Sequence, residues 1–211
     1  MDTTRVEKIL DALEDLYPEA KAELHFSNPF ETLIATILSA QCTDKRVNQV
    51  TEKLFPLYPD AKTMARLTPE ELEPMIRECG LYHSKAKNIV AACRALVEQY
   101  DGQVPADRKK LMALPGVGQK TAGVVLMAAF GDDQIPVDTH VFRVTRRIGL
   151  ADADTPEKVE MQLRQVLPRE RWSHAHHLLI WHGRRICHAR GPECDRCPLK
   201  EHLCNETCAA N

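Results

Sequence analysis

The stretch from Leu111 to Ala129, LMALPGVGQKTAGVVLMAA, predicts a short helix, a tight turn and a second, apolar helix. We expect the first helix to end at Leu114, the turn to span 115–118 and the second helix to begin near Gln119. Glycine adopts positive φ at little steric cost, so the two glycines of the turn are expected to point successive backbone N–H groups outward. Such donors at the positive end of a helix bind an anion without a charged side chain. The stretch predicts a phosphate-binding hairpin, with an ordinary helix–turn–helix corner as the alternative.

The rest of the chain also carries helix patterns. Apolar residues recur at three- and four-residue spacing in 6–17 and again in 86–100. Helix start signals, in which a capping residue is followed by proline, occur at Asn28, Thr68 and Thr155. No stretch alternates with enough β-branched residues to indicate a strand. We therefore predict an all-α fold of about ten helices joined by short connections.

Two helical domains are the expected organisation. A central bundle covers residues 21–131 and contains the hairpin. The second domain is discontinuous: it joins residues 1–20 to residues 132–211 and ends in a cysteine-rich loop.

The charge balance excludes a uniformly basic protein but not a basic face. The 211 residues carry 28 Lys and Arg against 30 Asp and Glu, a formal net charge of -2. Residues 169–190 hold five Arg and five His with Glu170 as the only acid, which predicts either a phosphate-contacting face or a solvated helix surface. The longest uncharged apolar stretches are 11 residues, well short of the ~20 that a membrane span needs, and no signal peptide is visible. We expect a cytoplasmic protein without a membrane partner.

Lys120 and Asp138 are the candidate reactive residues. Lys120 lies in the first turn of the second hairpin helix, where the helix dipole disfavours a cation, and a neutral amine there is a nucleophile able to form a Schiff base. A surface lysine that contacts a second phosphate is the alternative. Asp138 precedes an apolar helix and is expected to cap it, which would also fix the direction of the carboxylate.

Eight cysteines without a signal peptide indicate thiols rather than disulfides. Cys42, Cys79 and Cys93 are scattered and are expected to be small buried hydrophobic residues. The other five lie in the last 25 residues, and the spacing Cys-x6-Cys-x2-Cys-x6-Cys over 187–204 fits four thiolate ligands. Such a set suits either a [4Fe–4S] cluster or tetrahedral zinc.

Five stretches together resemble the helix-hairpin-helix DNA glycosylases that carry an iron–sulfur loop. They cover the chain nearly end to end and follow the family's order. One is the terminal group of cysteines. The other four are LSAQCTD (38–44), ECGLYHSKAKNI (78–89), LPGVGQKTA (114–122) and VDTHVFRVTRRIGL (137–150).

The resemblance implies a bifunctional DNA glycosylase and AP lyase of base excision repair. Such an enzyme removes oxidised pyrimidines from duplex DNA and cuts the strand 3′ to the abasic site by β-elimination. Lys120 matches the family's lysine, which attacks C1′ and forms a Schiff base. Asp138 matches the aspartate that assists this lysine and stabilises positive charge on the sugar. The implied partner is double-stranded DNA with damaged bases or abasic sites. The resemblance also implies a monomer that acts at the nucleoid of a prokaryote, with its active site in the cleft between the two helical domains.

The resemblance also implies the residues that contact DNA. A base inside a duplex must be flipped out before it is cleaved, so other groups must fill the gap. Gln41 is expected to bond the orphaned partner base, and Leu81 to support the neighbouring stack. The remaining expected DNA contacts are Gly116, Val117, Gly118, His140, Arg184, Arg185 and Arg190.

By the same resemblance the cysteine loop holds a [4Fe–4S] cluster as a structural clip, with the basic loop around it contacting the DNA backbone. The family's last gap is five residues, which would place the fourth cysteine at Leu203. We expect a one-residue expansion of the loop, with Cys208 as the further candidate. The expected ligands are Cys187, Cys194, Cys197 and Cys204.

Two other functions stay open. Relatives that remove mismatched adenine by hydrolysis typically lack a lysine at this position, so Lys120 argues against that reaction. A non-catalytic helix-hairpin-helix DNA-binding protein would need neither Lys120 nor Asp138, and it would bind DNA without cutting it.

Overall fold

The computed structural model describes residues 3–200 and 204, and helices are the only regular structure in those residues. The all-α prediction is confirmed. Short 3-10 turns occur at Arg77–Cys79, Arg169–Arg171 and Cys194–Arg196. Among the described helices, none combines the length and the apolar character that crossing a membrane requires. The α-helices of this part of the chain are α1 (Thr3–Leu16), α2 (Pro29–Leu38), α3 (Asp44–Leu54), α4 (Ala61–Met64), α5 (Pro69–Ile76), α6 (Tyr82–Tyr100), α7 (Arg108–Met112), α8 (Gln119–Phe130), α9 (Thr139–Arg147), α10 (Pro156–Val166) and α11 (Trp172–Arg185).

The predicted capping signals start the helices. Asn28 caps α2 by accepting the N–H of Glu31 at 2.9 Å. At α5 the capping is reciprocal: the Glu71 N–H donates to Thr68 Oγ1 at 3.3 Å, and the Thr68 N–H donates to the Glu71 carboxylate at 2.8 Å. At α2, Glu31 instead accepts from the backbone N–H and the hydroxyl of Ser27, both at 2.7 Å. These contacts are local, so a few neighbouring residues suffice to predict where each helix begins.

Residues Ala22–Asp132 form one compact unit. In it, α8 packs against α2 and α7, while α6 packs against α4 and α5. Leu33, Ile89 and Val125 are fully buried in its apolar core. Because Val125 anchors α8 in this core, the beginning of α8 and the turn before it are left at the surface of the unit.

The described residues of Met1–Lys21 and Asp133–Asn211 form the second compact unit. In it, α1 and α9 both pack against α11. Ile9, Val144 and Leu178 are fully buried in its core. The first helix of the chain therefore shares a core with the helices that precede the cysteine loop.

Candidate functional site

The predicted hairpin consists of α7, a turn and α8. Gly116 lies in the turn with a φ of +77°, a conformation that favours glycine. A Cβ at Gly116 would lie 2.8 Å from the Cβ of Asn88 on α6, which is closer than packing allows. Glycine is therefore required here twice, by the turn and by the close approach of α6.

Gly118 corrects the expectation that both glycines take positive φ. Its φ of -93° and ψ of -177° are extended, a conformation that any residue adopts. A Cβ at Gly118 would meet nothing within 4 Å. Packing among the described residues therefore does not require glycine at this position. A ligand that approaches the backbone at a helix N-terminus would require it, because a side chain would stand in its way.

The backbone N–H groups at the start of α8 lack acceptors within the described part of the chain. The first bond of the helix runs from the Ala122 N–H to the Gly118 carbonyl at 2.9 Å, so the N–H groups of 118–121 precede the helical ladder. For Val117 the structure differs from the prediction. Its side chain is buried and its N–H donates to the Leu114 carbonyl at 3.2 Å, so neither is available to a phosphate. The candidate anion site comprises residues 118–120.

Lys120 and Asp138 each lie at the start of a helix. Lys120 is in the first turn of α8, and its side chain is exposed. Asp138 is the N-cap of α9: its Oδ1 accepts from the N–H groups of His140 and Val141, both at 2.8 Å. The predicted capping role is confirmed. Because both bonds go to Oδ1, the carboxylate is held in one direction while neither bond engages Oδ2.

Gln41 and Leu81 share an unusual backbone conformation. Their φ values are +52° and +46°, and Asp101 is the only other non-glycine residue with positive φ in the described chain. This conformation costs a bulky residue about 1–2 kcal/mol, and such strain is found preferentially at functional sites. Leu81 is also 57% exposed, so burial in the core does not repay the strain. Gln41 follows α2 and is exposed as well, and both predicted gap-filling residues are therefore presented on strained turns.

His140 is part of the packing between α9 and α11. A Cβ on Gly183 would lie 3.0 Å from the His140 Cβ, so these helices approach closely there. Arg143 donates to the Gly183 carbonyl at 2.9 Å and to His140 Nδ1 at 3.1 Å. Burial lowers the pKa of His140, which makes its imidazole neutral at pH 7. A contact from His140 to DNA would therefore be a neutral one.

The three predicted arginines have different surroundings. The Arg185 guanidinium lies 3.7 Å from the centre of the Trp181 ring and 5.7 Å from that of Tyr17, a cation–π arrangement that holds this side chain in place. Arg190 is exposed, and Arg184 is half-buried. Arg185 is thus a preorganised cation at the end of α11.

Side chains of α9 hold the cysteine loop. Arg147 donates to Cys187 Sγ at 3.4 Å and to the His188 carbonyl at 2.6 Å. Cys204 Sγ donates to the Arg147 carbonyl at 3.5 Å. Arg143 Nε donates to the Cys187 carbonyl at 3.1 Å. The first and the fourth expected ligands therefore both contact one arginine, although they are far apart in the chain.

Cys197 has a partner of its own in α11. Its Sγ lies 3.5 Å from His182 Nε2, and the Tyr17 hydroxyl lies 3.2 Å from His182 Nδ1. Burial lowers the pKa of His182 to about 4 and raises that of Tyr17 to about 12, so both groups are neutral at pH 7. In the tautomer in which Nδ1 accepts from the Tyr17 hydroxyl, Nε2 carries the imidazole proton and faces the sulfur. A thiolate at Cys197 would therefore have a hydrogen-bond donor ready.

The donor set of the loop fits a thiophilic metal centre. Three of the four expected ligands, Cys187, Cys197 and Cys204, contact side chains or backbone of α9 or α11, and thiolates are the ligands of iron–sulfur clusters and of structural zinc. Among the described residues, no three His, Cys, Asp or Glu side chains are grouped as they would be around a single ion. Cys208 lies outside the described residues.

Acidic neighbours reduce the positive charge of the loop below what the sequence predicts. His188 and Arg196 both pair with Glu193. Lys200 pairs with Asp195 at 2.5 Å. The charges of Arg196 and Lys200 are therefore partly compensated within the loop.

The sequence analysis missed Lys85, which is a buried charged residue. Only 4% of Lys85 is exposed, and its ammonium group donates to two backbone carbonyls. A signal was present in the sequence. Lys85 stands four residues before Ile89 on the apolar face of α6, where a charge needs partners.

The chain is similar to known proteins over nearly its whole length. The profile described as HhH-GPD superfamily base excision DNA repair protein matches residues 34–169. Endonuclease III of Rickettsia conorii is 50% identical over 202 residues, which cover 96% of each chain. Endonuclease III of Escherichia coli is 49% identical over 197 residues, which cover 93% of each chain.

Solved structures match equally well. A non-covalent endonuclease III–DNA complex has a TM-score of 0.93 and 47% identity, covering 98% of this chain and 96% of that one. A trapped endonuclease III–DNA covalent intermediate gives the same TM-score and identity, and there 97% of the matched chain is covered. The helical fold and the glycine-containing hairpin define a helix-hairpin-helix protein. The sequence similarity extends over nearly the whole chain at 47–50% identity. The chain therefore belongs to the endonuclease III family of the HhH-GPD superfamily of base excision DNA repair proteins.

Proposed function

We propose that this protein is a bifunctional DNA glycosylase and AP lyase of base excision repair. It removes oxidised pyrimidines from double-stranded DNA and cuts the strand 3′ to the abasic site. The observation that carries the proposal is the near full-length likeness to endonuclease III, including the solved structure of a trapped endonuclease III–DNA covalent intermediate. We place its action on double-stranded DNA at the nucleoid, in the cytoplasm of a prokaryote, and infer that it acts as a monomer.

The hairpin supplies the phosphate contact. The backbone N–H groups of 118–120 lie at the positive end of α8, and the open space at Gly118 lets a phosphate reach them. This contact carries no base information, so it positions the enzyme on any sequence.

Lys120 is the proposed nucleophile. An amine attacks only in its uncharged form, so the lysine must lose a proton before its Nζ bonds to C1′. As that bond forms, the bond between C1′ and the base breaks, and the base leaves with its electron pair and takes up a proton. The nitrogen then releases a proton, the ring bond from C1′ to O4′ breaks, and O4′ takes up a proton. The protonated imine that forms acidifies the C2′ hydrogen. Removal of that proton by β-elimination breaks the 3′ C–O bond and cuts the strand.

Asp138 is the proposed electrostatic partner of this step. Positive charge develops on the sugar as the base leaves, and a fixed carboxylate stabilises that charge more than it stabilises the ground state. The two bonds to Oδ1 fix the group in advance. The same carboxylate assists removal of the proton from Lys120.

Gln41 and Leu81 are the proposed gap-filling residues. Flipping a base out of the stack costs a few kcal/mol, and filling the space recovers part of that cost. The Gln41 amide can both donate to and accept from an orphaned base, and the Leu81 side chain is an exposed apolar wedge.

The cysteine loop is proposed to hold a [4Fe–4S] cluster through Cys187, Cys194, Cys197 and Cys204. When bound, the cluster supplies a structural cross-link and no reactive group. Arg143 and Arg147 fix the beginning of the loop from α9. His182 is positioned to donate to the sulfur of Cys197.

A duplex with one thymine glycol tests the proposal. The protein should cut this strand at the lesion, and Lys120→Gln should bind the duplex without cutting it. Lys109→Gln is the matched control, since Lys109 is an exposed lysine in the other helix of the hairpin. If Lys120→Gln cuts as fast as the unmodified protein, the proposed mechanism is wrong.

A further inference from the structure

Lys85 is a buried charge that the proposed chemistry does not use. It lies in the first turn of α6 and is 4% exposed. Desolvation lowers its pKa, and the thiols of Cys42 and Cys79 lie close enough to influence it. A buried ammonium group is costly unless its protons are bonded, so its partners indicate why it is there.

The partners of Lys85 are the ends of two other helical segments. Its Nζ donates to the Leu38 carbonyl at 2.8 Å and to the Cys79 carbonyl at 2.6 Å. Leu38 is the last residue of α2, and Cys79 is the last residue of the 3-10 turn that precedes α6. Carbonyls at helix ends lack intrahelical donors and favour a nearby cation. One lysine side chain therefore caps two segments at once.

Each capped segment leads directly into one of the two strained residues. Gln41 follows Leu38 by three residues, and Leu81 follows Cys79 by two. The backbone N–H of Lys85 also donates to the Leu81 carbonyl at 3.0 Å. Lys85 is thus bonded on one side to the turn of Gln41 and on the other to the turn of Leu81.

We propose that Lys85 is a positioning residue that fixes the turns of Gln41 and Leu81 relative to each other, so that both side chains enter the duplex together. The proposal rests on the function proposed above, because it concerns how the two gap-filling residues act. Lys85 itself touches neither DNA nor the reacting atoms. Its three donors on a compact head can hold two carbonyls at a set separation.

The test replaces Lys85 by methionine, which has a similar shape but no donors. The substrate is a thymine glycol duplex with 2-aminopurine beside the lesion, whose fluorescence rises when the stack opens. We expect Lys85→Met to lower the fluorescence rise and the single-turnover excision rate by about tenfold or more, with the melting curve still cooperative. Lys53→Met is the matched control, because Lys53 is an exposed lysine of the same unit. It lies near the end of α3, about 14 Å along the helix axis from Asp44 at the start, given a rise of 1.5 Å per residue. This variant should behave like the unmodified protein.

A double-mutant cycle separates positioning from a general loss of stability. If Lys85 acts through Leu81, Lys85→Met should have little further effect on fluorescence in a Leu81→Ala background. Additive effects of the two substitutions would contradict the proposal, and so would wild-type fluorescence and excision in folded Lys85→Met. Should Lys85→Met fail to fold, Lys85→Gln, which keeps two N–H donors, is measured by the same criteria.

The same assay keeps the two proposals apart. If the unmodified protein neither opens the stack nor excises thymine glycol, the proposed function is wrong, and this inference falls with it. If the unmodified protein does both and folded Lys85→Met does the same, only the role of Lys85 is wrong.

Discussion

Leu81 illustrates how a single residue can trade stability for function. Its positive φ is unfavourable for leucine, and its exposed side chain gains little from packing. Glycine would accept the backbone conformation but would remove the wedge. The strain and the proposed insertion into DNA are therefore separable by one substitution.

We predict that Leu81→Gly leaves the free energy of unfolding unchanged to within about 1 kcal/mol, because relief of strain offsets the greater entropy of the unfolded chain. Excision of thymine glycol should nevertheless fall, since nothing supports the opened stack. Chemical denaturation and single-turnover kinetics measure the two effects. Leu57→Ala, at another exposed leucine of the same unit, should change neither. Excision at the wild-type rate in Leu81→Gly would remove the wedge role.

Asp138 has two proposed roles that respond differently to substitution. Asparagine caps a helix about as well as aspartate, whereas alanine loses about 1 kcal/mol of capping energy. Asp138→Asn should therefore keep the stability of the protein and slow excision strongly, while Asp138→Ala should lower both.

The control for Asp138 is Asp107→Asn, since Asp107 caps α7 in the same way by accepting from the Lys110 N–H at 2.8 Å. Thermal unfolding and excision rates should both match the unmodified protein there. An Asp138→Asn protein that excises normally would show that the carboxylate charge is not needed.

At the scale of the element, the two hairpin glycines should separate folding from DNA binding. Gly116→Ala places a methyl group 2.8 Å from Asn88 Cβ at positive φ, and the conformational penalty alone is about 1–2 kcal/mol. Gly118→Ala meets no atom, so the fold should be unaffected while the methyl group obstructs a phosphate.

Melting temperature and affinity for an undamaged duplex distinguish these outcomes. We expect a lower melting temperature for Gly116→Ala, and weaker binding at an unchanged melting temperature for Gly118→Ala. Unchanged binding in Gly118→Ala would mean that phosphate does not approach the start of α8.

The sequence predicts those features of the elements that depend on neighbouring residues. It does not predict features that depend on contacts between residues distant in the chain. The cap of Asp138 and the positive φ of Gly116 follow from adjacent residues, and both predictions are confirmed. The hydrogen-bonded N–H of Val117 and the extended backbone of Gly118 depend on how the turn packs, so the predicted outward N–H of Val117 and positive φ of Gly118 were wrong. The hydrogen bonds of Lys85 join Leu38 to Cys79, and these two residues are distant in the chain. A local sequence pattern shows only that a lysine lies on an apolar helix face.

At the scale of the whole molecule, the described part of the cysteine loop is held against α9 and α11. Cys187 Sγ and Cys204 Sγ both contact Arg147, which brings the first and the fourth expected ligands to one residue of α9. We predict that Cys204→Ser loses bound iron, sulfide and visible absorbance, while Cys208→Ser keeps them. Because a bound cluster stabilises only the folded chain, Cys204→Ser should also unfold at lower temperature. The reverse result would reassign the ligand to Cys208.

The central claim is a covalent bond between Lys120 and C1′ of the damaged nucleotide. Sodium borohydride reduces an imine to a stable amine, so adding it during reaction with an abasic duplex should trap the protein on DNA. We predict one covalent adduct, with peptide mapping placing the sugar on Lys120 and no adduct in Lys120→Gln. Absence of any adduct from the unmodified protein, or an adduct on a different lysine, would contradict the account.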